Sequence, residues 1–268
     1  MPEKWNKKNK RKILKTLVSW NVNGIRAAFN KGFLDWLNET SPDIIGLQEI
    51  KAEKNQFPPD IINHKDYKIF IHSAEKKGYS GVAVLSKEQP TKVIDKIGIE
   101  KFDREGRTLI CEYKSFVFIN CYFPNGQRDH ARVDYKLEFY DAILKIYNDY
   151  IAEGRKVIMT GDFNTAHHPI DLANPKSNKN TTGFLPHERE WLDHYVNAGM
   201  VDALRVFEPD TEGVYSWWTY RSNCRERNIG WRIDYFMVSK SLKSKLKNCR
   251  HLTEVMGSDH CPIELTLK

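Results

Sequence analysis

Residues 156–164 read Lys-Val-Ile-Met-Thr-Gly-Asp-Phe-Asn, an apolar run that stops abruptly at a carboxylate and an amide. The stretch Val157–Thr160 favours a buried β-strand, and the glycine that follows favours its end. Asp162 and Asn164 would then lie at the tip of a strand, where a rigid scaffold can hold reactive groups. The segment therefore predicts a β-rich protein that carries its chemistry at strand ends.

Short runs of the same kind, rich in β-branched and aromatic residues, recur along the chain. They predict at least nine β-strands, at Ile13–Trp20, Asp43–Gln48, Tyr67–Ile71, Gly81–Leu85, Thr108–Tyr113, Phe116–Tyr122, Lys156–Thr160, Trp231–Val238 and Ile263–Leu267. Helical periodicity is rarer and predicts three main helices, at Arg26–Asn38, Val133–Ile151 and His187–Asn197. Two sheets packed face to face, with helices on their outer surfaces, would bury these elements, so we expect a four-layered αββα sandwich of the α/β (α+β) class.

The length of 268 residues is compatible with one β-rich domain or with two smaller domains. No internal repeat or shift of composition marks a boundary, and the polar stretch Asn174–Gly183 is typical of a loop rather than a linker. We expect one domain over residues 13–268, preceded by a basic arm over residues 1–12.

Positive charge is concentrated in two segments. Of the formal net charge of +7, Met1–Lys12 contributes +5 and leaves +2 for the rest of the chain. This arm could contact phosphates, act as a localisation signal, or be only a solvated terminus. The second segment, Lys240–Arg250, contains no acidic residue and is interpreted either as a solvated surface segment or as a nucleic-acid contact.

The composition excludes several classes of protein. No stretch approaches the roughly 18 apolar residues needed to cross a bilayer, and the first residues lack the apolar core of a secretory signal. The five cysteines are widely spaced without a Cys-x-x-Cys pair, which argues against a disulfide framework and a thiolate zinc site. We expect a soluble intracellular protein without membrane association, cytoplasmic or, in a eukaryote, nuclear.

Polar side chains cluster at the ends of four predicted strands, in Asn21-Val22-Asn23, Gln48-Glu49, Asp162-Phe163-Asn164 and Ser258-Asp259-His260. Carboxylate and amide oxygens suit Mg²⁺ or Mn²⁺ better than zinc. In phosphodiester hydrolysis such an ion neutralises developing charge while a base activates water, and Asp162, Asn164 and His260 are candidates for that work. Asp234 could orient and charge-stabilise His260.

Each of these residues, taken singly, has a simpler explanation. An Asp or Asn beside Gly is most often a turn residue, and an isolated His is more often a surface or core group. Tyr122, Trp217 and Trp231 would ordinarily be core aromatics. The functional interpretation depends on their joint occurrence.

Seven motifs follow one another along the chain: SWNVNGIRA at 19–27, LQE at 47–49, GYSG at 78–81, NCYFPNG at 120–126, GDFN at 161–164, GWRIDY at 230–235 and GSDHCP at 257–262. Together they resemble the exonuclease III family of abasic-site endonucleases, over nearly the whole chain after residue 13. The resemblance implies the αββα fold and dependence on Mg²⁺, with Mn²⁺ as a substitute. It also implies incision of double-stranded DNA on the 5′ side of abasic sites to leave a 3′-hydroxyl, together with 3′-to-5′ exonuclease or 3′-end-cleaning activity. Incision at damaged or deaminated bases such as uracil stays open, and we expect a monomer.

The same resemblance assigns roles by motif position. The implied metal-binding residues are Asn21, Glu49, Asp162, Asn164, Asp259 and His260. The implied catalytic residues are Tyr122, Asp162, Asn164, Asp234 and His260, and which of Asp162 and His260 is the base stays open. The implied DNA contacts are Asn23, Arg26, Lys77, Gly78, Tyr79, Asn125, Arg128, Trp217 and Trp231, the two tryptophans as walls of a pocket for an extruded sugar.

Some relatives carry Asp where Asn23 stands, so this chain lacks one negative charge beside the metal, and the number of bound ions stays open.

Two other functions compete with this interpretation. The same fold serves hydrolases of other phosphoesters, although Trp217-Trp218-Thr219 and Gly230-Trp231-Arg232 favour the abasic-site branch. A catalytically inactive DNA-binding module is the second alternative, and it should have lost at least one reactive group, whereas all are present.

Overall fold

The computed structural model describes residues 14–268, which form two six-stranded β-sheets. Strands are numbered in chain order. The first sheet contains β1 (Lys15–Asn21), β2 (Ile44–Gln48), β3 (Lys68–His72), β4 (Val82–Ser86), β11 (Leu246–His251) and β12 (Ile263–Leu267), in the spatial order β11-β12-β1-β2-β4-β3. The second contains β5 (Lys92–Ile94), β6 (Thr108–Glu112), β7 (Val117–Tyr122), β8 (Val157–Asp162), β9 (Met200–Asp202) and β10 (Asp234–Ser239), in the order β5-β6-β7-β8-β10-β9.

Both sheets are mixed. The pairs β1–β2 and β7–β8 are parallel, and the other pairs are antiparallel. Seven α-helices lie within residues 14–268: α1 (Ile25–Asn30), α2 (Phe33–Thr40), α3 (Pro59–Ile62), α4 (Glu100–Asp103), α5 (Val133–Ala152), α6 (Pro186–Asn197) and α7 (Ala203–Phe207). Short 3-10 helices occur at Lys54–Gln56, Pro169–Asp171, Arg221–Asn223 and Lys240–Lys245.

The apolar core lies in three layers. Leu17 of β1 and Phe118 of β7 point into the space between the two sheets. Because successive side chains of a strand point to opposite faces, their neighbours Val18 and Ile119 point outward. Val18 packs with α1 and α2, and Ile119 packs with α5 and α6. The predicted αββα sandwich is therefore confirmed.

One predicted helix is wrong in its extent. The segment Arg26–Asn38 forms two helices, α1 and α2, instead of one. Gly32 between them has a φ of 95°, a left-handed conformation that glycine adopts at little cost, and it turns the chain. The apolar periodicity runs across the break because Phe29 and Phe33 pack into the same cluster.

The strand predictions need two corrections. The strand expected at Trp231–Val238 begins only at Asp234, because Trp231 instead makes isolated bridges to Trp217 and Leu172. Three strands were missed: β5, β9 and β11, each at the edge of a sheet. Two of them are only three residues long, too short to show a periodic pattern. The other predicted strands, the remaining two helices and the turn-rich loop at 174–183 are confirmed, with ends shifted by one or two residues.

The second basic segment proves to be ordered structure. Lys240–Lys245 forms a 3-10 helix that leads into the edge strand β11, and Leu242, Leu246 and Cys249 are buried. The segment is thus anchored in the core while its basic side chains are exposed. The basic arm at residues 1–12 and the start of the first predicted strand, Ile13, lie outside the described residues.

A buried ion pair joins the two long helices on the second sheet. The Nζ of Lys136 lies 2.7 Å from Oε1 of Glu188, and it also donates to the carbonyl oxygen of Asn164 at 2.7 Å. Both side chains are fully buried. Glu188 additionally accepts hydrogen bonds from the backbone amides of Gly183 and Leu185, so it fixes the start of α6.

Removing one partner of this pair should be strongly destabilising. We expect Glu188→Gln to lower the free energy of unfolding by about 3–5 kcal/mol, because it leaves the Lys136 ammonium buried without a counter-charge. Urea denaturation monitored by circular dichroism measures the change. The matched control is Asp149→Asn, which removes the exposed partner of Lys145 and should cost under about 1 kcal/mol. Equal losses in the two variants would show that the buried pair does not stabilise the fold in this way.

Candidate active site

The residues predicted to carry the chemistry meet at one end of the two sheets. They are Asn21 at the end of β1, Glu49 just after β2, Tyr122 at the end of β7, Asp162 at the end of β8, Asp234 at the start of β10 and His260 shortly before β12. The parallel pairing of β1 with β2 and of β7 with β8 brings their carboxyl ends to the same edge. Antiparallel pairing then places Asp234 directly opposite Asp162. Both sheets therefore contribute to one site.

A pocket of about 790 Å³ opens at this end. Among the predicted residues it is lined by Asn23, Glu49, Tyr122, Asn125, Arg128, Asp162, Asn164, Trp217, Trp231, Asp259 and His260. Asn21 and Asp234 do not line it and are almost completely buried, at 0% and 2% exposure. These two residues can therefore act only through the groups that they touch.

Asn21 connects two carboxylates from different sheets. Its Nδ2 donates to Oε2 of Glu49 at 3.1 Å and to Oδ2 of Asp162 at 2.9 Å. Asn164 also donates from its backbone amide to Asp162, at 2.8 Å. These hydrogen bonds hold two acidic groups close together at the pocket, an arrangement of oxygen donors that fits a hard divalent cation.

Lys51, which the sequence reasoning missed, lies against this group. Its Nζ is 2.9 Å from Oε1 of Glu49 and donates to Oδ1 of Asn23 at 2.6 Å. Asn23 in turn donates to Oδ1 of Asp259 at 2.9 Å. A lysine two residues after a predicted metal carboxylate was the only signal for it in the sequence. Asp259 is thus connected to Glu49 through two intervening side chains.

His260 is held from behind by an acid and a hydroxyl. Its Nδ1 lies 2.8 Å from Oδ2 of Asp234, which also accepts a hydrogen bond of 2.6 Å from Ser216. Its Nε2 points toward Asp162, whose Oδ2 is 3.9 Å away. A compact buried group is formed by the carboxylates of Asp162 and Asp234 and the imidazole of His260. This group could also hold a metal ion.

Burial and the charges within this group shift the pKa values of His260 and Asp162. Burial alone would lower the pKa of His260, but the adjacent Asp234, followed by Asp162 and Asp259, raises it to about 10. Burial and the nearby charge of Asp234 raise the pKa of Asp162 to about 7. The imidazole is thus protonated at neutral pH, while Asp162 can gain or lose a proton near neutrality.

Tyr122 lies beside a buried cation. The guanidinium carbon of Arg107 is 4.8 Å from the centre of the Tyr122 ring, and Arg107 donates to the carbonyl oxygen of Tyr122 at 3.0 Å. Burial, together with the charges of Glu49 and Asp162, raises the pKa of Tyr122 well above its usual value. Its phenol therefore keeps its proton and can donate a hydrogen bond to a ligand.

Two tryptophans meet edge to face at the pocket. The rings of Trp217 and Trp231 have centroids 6.5 Å apart at an interplanar angle of 83°. Nε1 of Trp217 donates to Oδ2 of Asp259 at 3.1 Å, and Trp231 packs with Phe184 and Leu172. These contacts fix both rings, so the pocket has a rigid aromatic side.

The remaining predicted DNA contacts surround the pocket without lining it. Arg26 is exposed on α1, and Lys77 and Gly78 are exposed in the loop that joins β3 to β4. The hydroxyl of Tyr79 accepts hydrogen bonds from Arg107 and Arg132. All four residues lie at the end of the sheets that carries the pocket. Residues that line the pocket but were not predicted include Lys51, Asn174, Asn178, Thr182, Gly183 and Arg221.

In residues 14–268 no helix combines the length and apolar character that a membrane crossing requires.

The chain is similar over most of its length to known nucleases. The sequence profile of the endonuclease/exonuclease/phosphatase family matches residues 18–260. The chain is 46% identical over 252 residues to an exodeoxyribonuclease of Bacillus subtilis, covering 94% of this chain and 98% of that protein. It is 40% identical over 268 residues to the DNA repair nuclease APEX1 of Danio rerio, covering 99% of this chain and 86% of that protein.

Solved structures of similar proteins share the fold. An AP endonuclease from Archaeoglobus fulgidus superposes with a TM-score of 0.87 at 28% identity, over 95% of this chain and 99% of that one. A 3′ phosphatase from Neisseria, solved with a product DNA hairpin, superposes with a TM-score of 0.88 at 26% identity, over 95% and 99% of the two chains.

Proposed function

Because this chain belongs to the endonuclease/exonuclease/phosphatase family, and is therefore a metal-dependent phosphoester hydrolase, we propose that it incises double-stranded DNA on the 5′ side of abasic sites and leaves a 3′-hydroxyl. One observation carries the proposal: an acidic group fixed by Asn21 lies in the same pocket as His260 and two tryptophans in an edge-to-face arrangement. The acids and the imidazole suit phosphodiester hydrolysis, and the aromatic side suits a sugar without a base.

We propose that Mg²⁺, with Mn²⁺ as a substitute, binds at Glu49 and Asp162, with Asn21 beside them. The proposal is supported by the oxygen donors, which Asn21 brings together from the two sheets. When bound, the ion supplies positive charge against the scissile phosphate. Asn164, Asp259 and His260 were also predicted as metal ligands. All three line the same pocket, and we propose that they support the ion less directly, because it is the carboxylates of Glu49 and Asp162 that Asn21 brings together.

Each remaining residue has a role that follows from its contacts. Asp162, held by Asn164, is placed to take the proton of the attacking water, because burial and the charge of Asp234 raise the pKa of its carboxyl above that of an ordinary aspartate. His260 is the cationic donor to a phosphate oxygen, oriented by Asp234. Tyr122 donates a hydrogen bond to the phosphate or the leaving group. Asp162 is thus the general base in this proposal, and the protonated imidazole of His260 is the donor to the phosphate.

The preference for abasic sites follows from the cost of extrusion. A nucleotide without a base lacks stacking and pairing, so it leaves the helix more easily than an intact one. Trp217 and Trp231 would contact the extruded sugar, and Arg26, Lys77, Gly78 and Tyr79 at the pocket rim, with Asn23, Asn125 and Arg128 in the pocket, would grip the flanking phosphates. In this proposal the site selects the lesion by shape and binds the flanking phosphates by charge.

The same pocket would also serve neighbouring reactions. We propose 3′-to-5′ exonuclease and 3′-end-cleaning activity, in keeping with the names of the Bacillus subtilis relative and the Neisseria structure. Incision beside uracil would need room for a base between the tryptophans. We further propose that residues 13–268 act as one catalytic domain, as a monomer, inside the cell.

The decisive experiment is incision of a labelled duplex carrying one abasic-site analogue, with Mg²⁺ and with EDTA. Matched duplexes contain uracil or no lesion. We expect metal-dependent cutting of the abasic duplex, and cutting at uracil as well would widen the substrate class. Binding without cutting of any duplex would replace the proposal by an inactive DNA-binding module, and preferential hydrolysis of another phosphoester would replace it by the other alternative.

A further inference from the structure

A group of exposed lysines lies at the end of the sheets opposite the pocket. Asp234 at the pocket begins β10, and the 3-10 helix Lys240–Lys245 follows directly after that strand ends at Ser239. A strand rises about 3.3 Å per residue, so the helix begins roughly 20 Å from the catalytic end. The pocket and the lysines therefore lie at opposite ends of β10.

Four lysines form this basal lysine surface: Lys156, Lys240, Lys243 and Lys245, all exposed. Lys156 adjoins the helix because the amide of the next residue, Val157, donates to the side chain of Ser239. None of the four ammonium groups forms an ion pair or a side-chain hydrogen bond with another residue of 14–268. By contrast, Lys92, Lys101 and Lys145 each have a carboxylate partner. The surface therefore concentrates uncompensated positive charge.

The lysines are presented on a fixed support. Leu242 and Leu246 are buried in the core between the sheets, so the 3-10 helix cannot move freely. In a 3-10 helix residues three apart lie on the same side, which places Lys240 and Lys243 side by side, about 6 Å apart along the axis. Flexible lysine side chains at this spacing can reach neighbouring phosphates of one polyanionic strand.

Two simpler explanations do not account for all four lysines of this surface. Lysines on an edge strand prevent pairing with another chain, which explains Lys247 on β11 but not the lysines that precede the strand. A membrane-surface helix needs an exposed apolar side, whereas Leu242, the one apolar residue of this helix, points inward. The surface is therefore polar and cationic without an apolar component.

From this arrangement we propose that the basal lysine surface is a second binding site, for the phosphate backbone of duplex DNA. The choice of DNA as the polyanion rests on the proposed function, since the pocket at the other end would hold the same polymer. One molecule would then contact two duplexes, or two distant segments of one DNA. Contacts between lysine and phosphate give affinity without sequence preference.

The test measures capture of a second duplex. Protein is bound to an immobilised duplex with an abasic-site analogue in EDTA, which prevents incision, and a labelled duplex without a lesion is added at increasing salt. We expect wild type to capture it and K240Q/K243Q/K245Q to capture several-fold less. Loss of three phosphate contacts should lower the slope of log affinity against log salt by up to about 2.7.

Two variants serve as controls. K92Q/K101Q/K145Q removes the same charge from lysines that have acidic partners, and it should retain capture. K240R/K243R/K245R should restore it, because arginine also binds phosphate. Thermal unfolding checks that each variant is folded, and incision of a short abasic duplex with Mg²⁺ should be the same in all three.

Each outcome decides one of the two proposals. Absence of capture by wild type, or equal loss in both glutamine variants, would overturn the second site. Binding to vesicles of anionic phospholipid without capture of DNA would also overturn it, in favour of a membrane. Absence of incision by wild type would overturn the proposed function, and capture would then still report on the basal lysine surface.

Discussion

Asp162→Asn is expected to lower kcat for incision of an abasic duplex by about 10⁴-fold or more, because one residue serves both the proposed metal site and the proposed base. The substitution removes the charge and also places an amide group opposite Nδ2 of Asn21 and Nδ2 of Asn164, both of which donate to this carboxylate. Single-turnover kinetics with labelled duplex measures the rate.

DNA binding should survive the change. Phosphate contacts come from other side chains, and loss of a negative charge in the pocket does not weaken attraction to DNA. Fluorescence anisotropy with the same duplex in EDTA checks this expectation. Asp149→Asn, an exposed site on α5, is the control for the chemical change itself. A rate within a few-fold of wild type would remove Asp162 from both proposed roles.

Asp234→Asn is expected to lower kcat by about 10³–10⁴-fold, although Asp234 does not line the pocket. Its carboxylate is the acceptor for Nδ1 of His260 at 2.8 Å and the charge that most strongly raises the pKa of that imidazole. An amide in its place both weakens the orientation of the ring and lowers the pKa of His260. Asp234 thus acts as a positioning residue.

The pH profile distinguishes this role from a purely structural one. If protonated His260 is the active form, activity is present below its pKa and is lost as the pH rises through it. With a pKa of about 10, His260 of the wild type should stay protonated across the neutral and mildly alkaline range, so its contribution to activity is lost only at higher pH. In Asp234→Asn the alkaline loss should begin at lower pH, and NMR titration of the imidazole should show the same displacement.

A second acid–histidine pair provides the control. Asp193 lies 2.8 Å from Nε2 of His167, and neither residue lines the pocket. Asp193→Asn should therefore leave both kcat and its pH profile unchanged. A profile in Asp234→Asn with reduced rate but an unmoved alkaline limb would contradict the assignment of His260 as the cationic donor.

Much of the fold follows from local patterns. The runs that form β2, β7 and β8 are mainly apolar over five or six residues, and burial on both faces leaves them few alternatives to a strand. Edge strands such as β9 are short and only partly buried, so their formation depends on the neighbour that they pair with. The break at Gly32 depends on a turn that apolar periodicity does not report.

The site was predictable where chemistry coincides with a strand end. Asp162 ends β8 and His260 stands shortly before β12, so both lie at the ends of apolar runs that are visible in the sequence. Arg107 gave no such signal, since its position against Tyr122 arises from the antiparallel register of β6 and β7, in which Thr108 pairs with Cys121. Ser216, which donates a hydrogen bond to Asp234, likewise gave no signal in the sequence, because only tertiary contacts bring it to the site. Knowledge of strand pairing, which sequence periodicity does not supply, would have revealed Arg107.

The contacts of Glu188 have a consequence for how this pocket can evolve. The same carboxylate that neutralises Lys136 also accepts hydrogen bonds from Thr182 and Gly183, which line the pocket. Substitutions that reshape the side of the pocket at Thr182 and Gly183 to admit a larger ligand would therefore also lower the free energy of unfolding of the whole chain. Arg128 and Arg221 line the pocket from exposed positions without such a connection. We therefore expect new substrate ranges to arise by substitution of those two arginines, while the residues around Gly183 are substituted slowly.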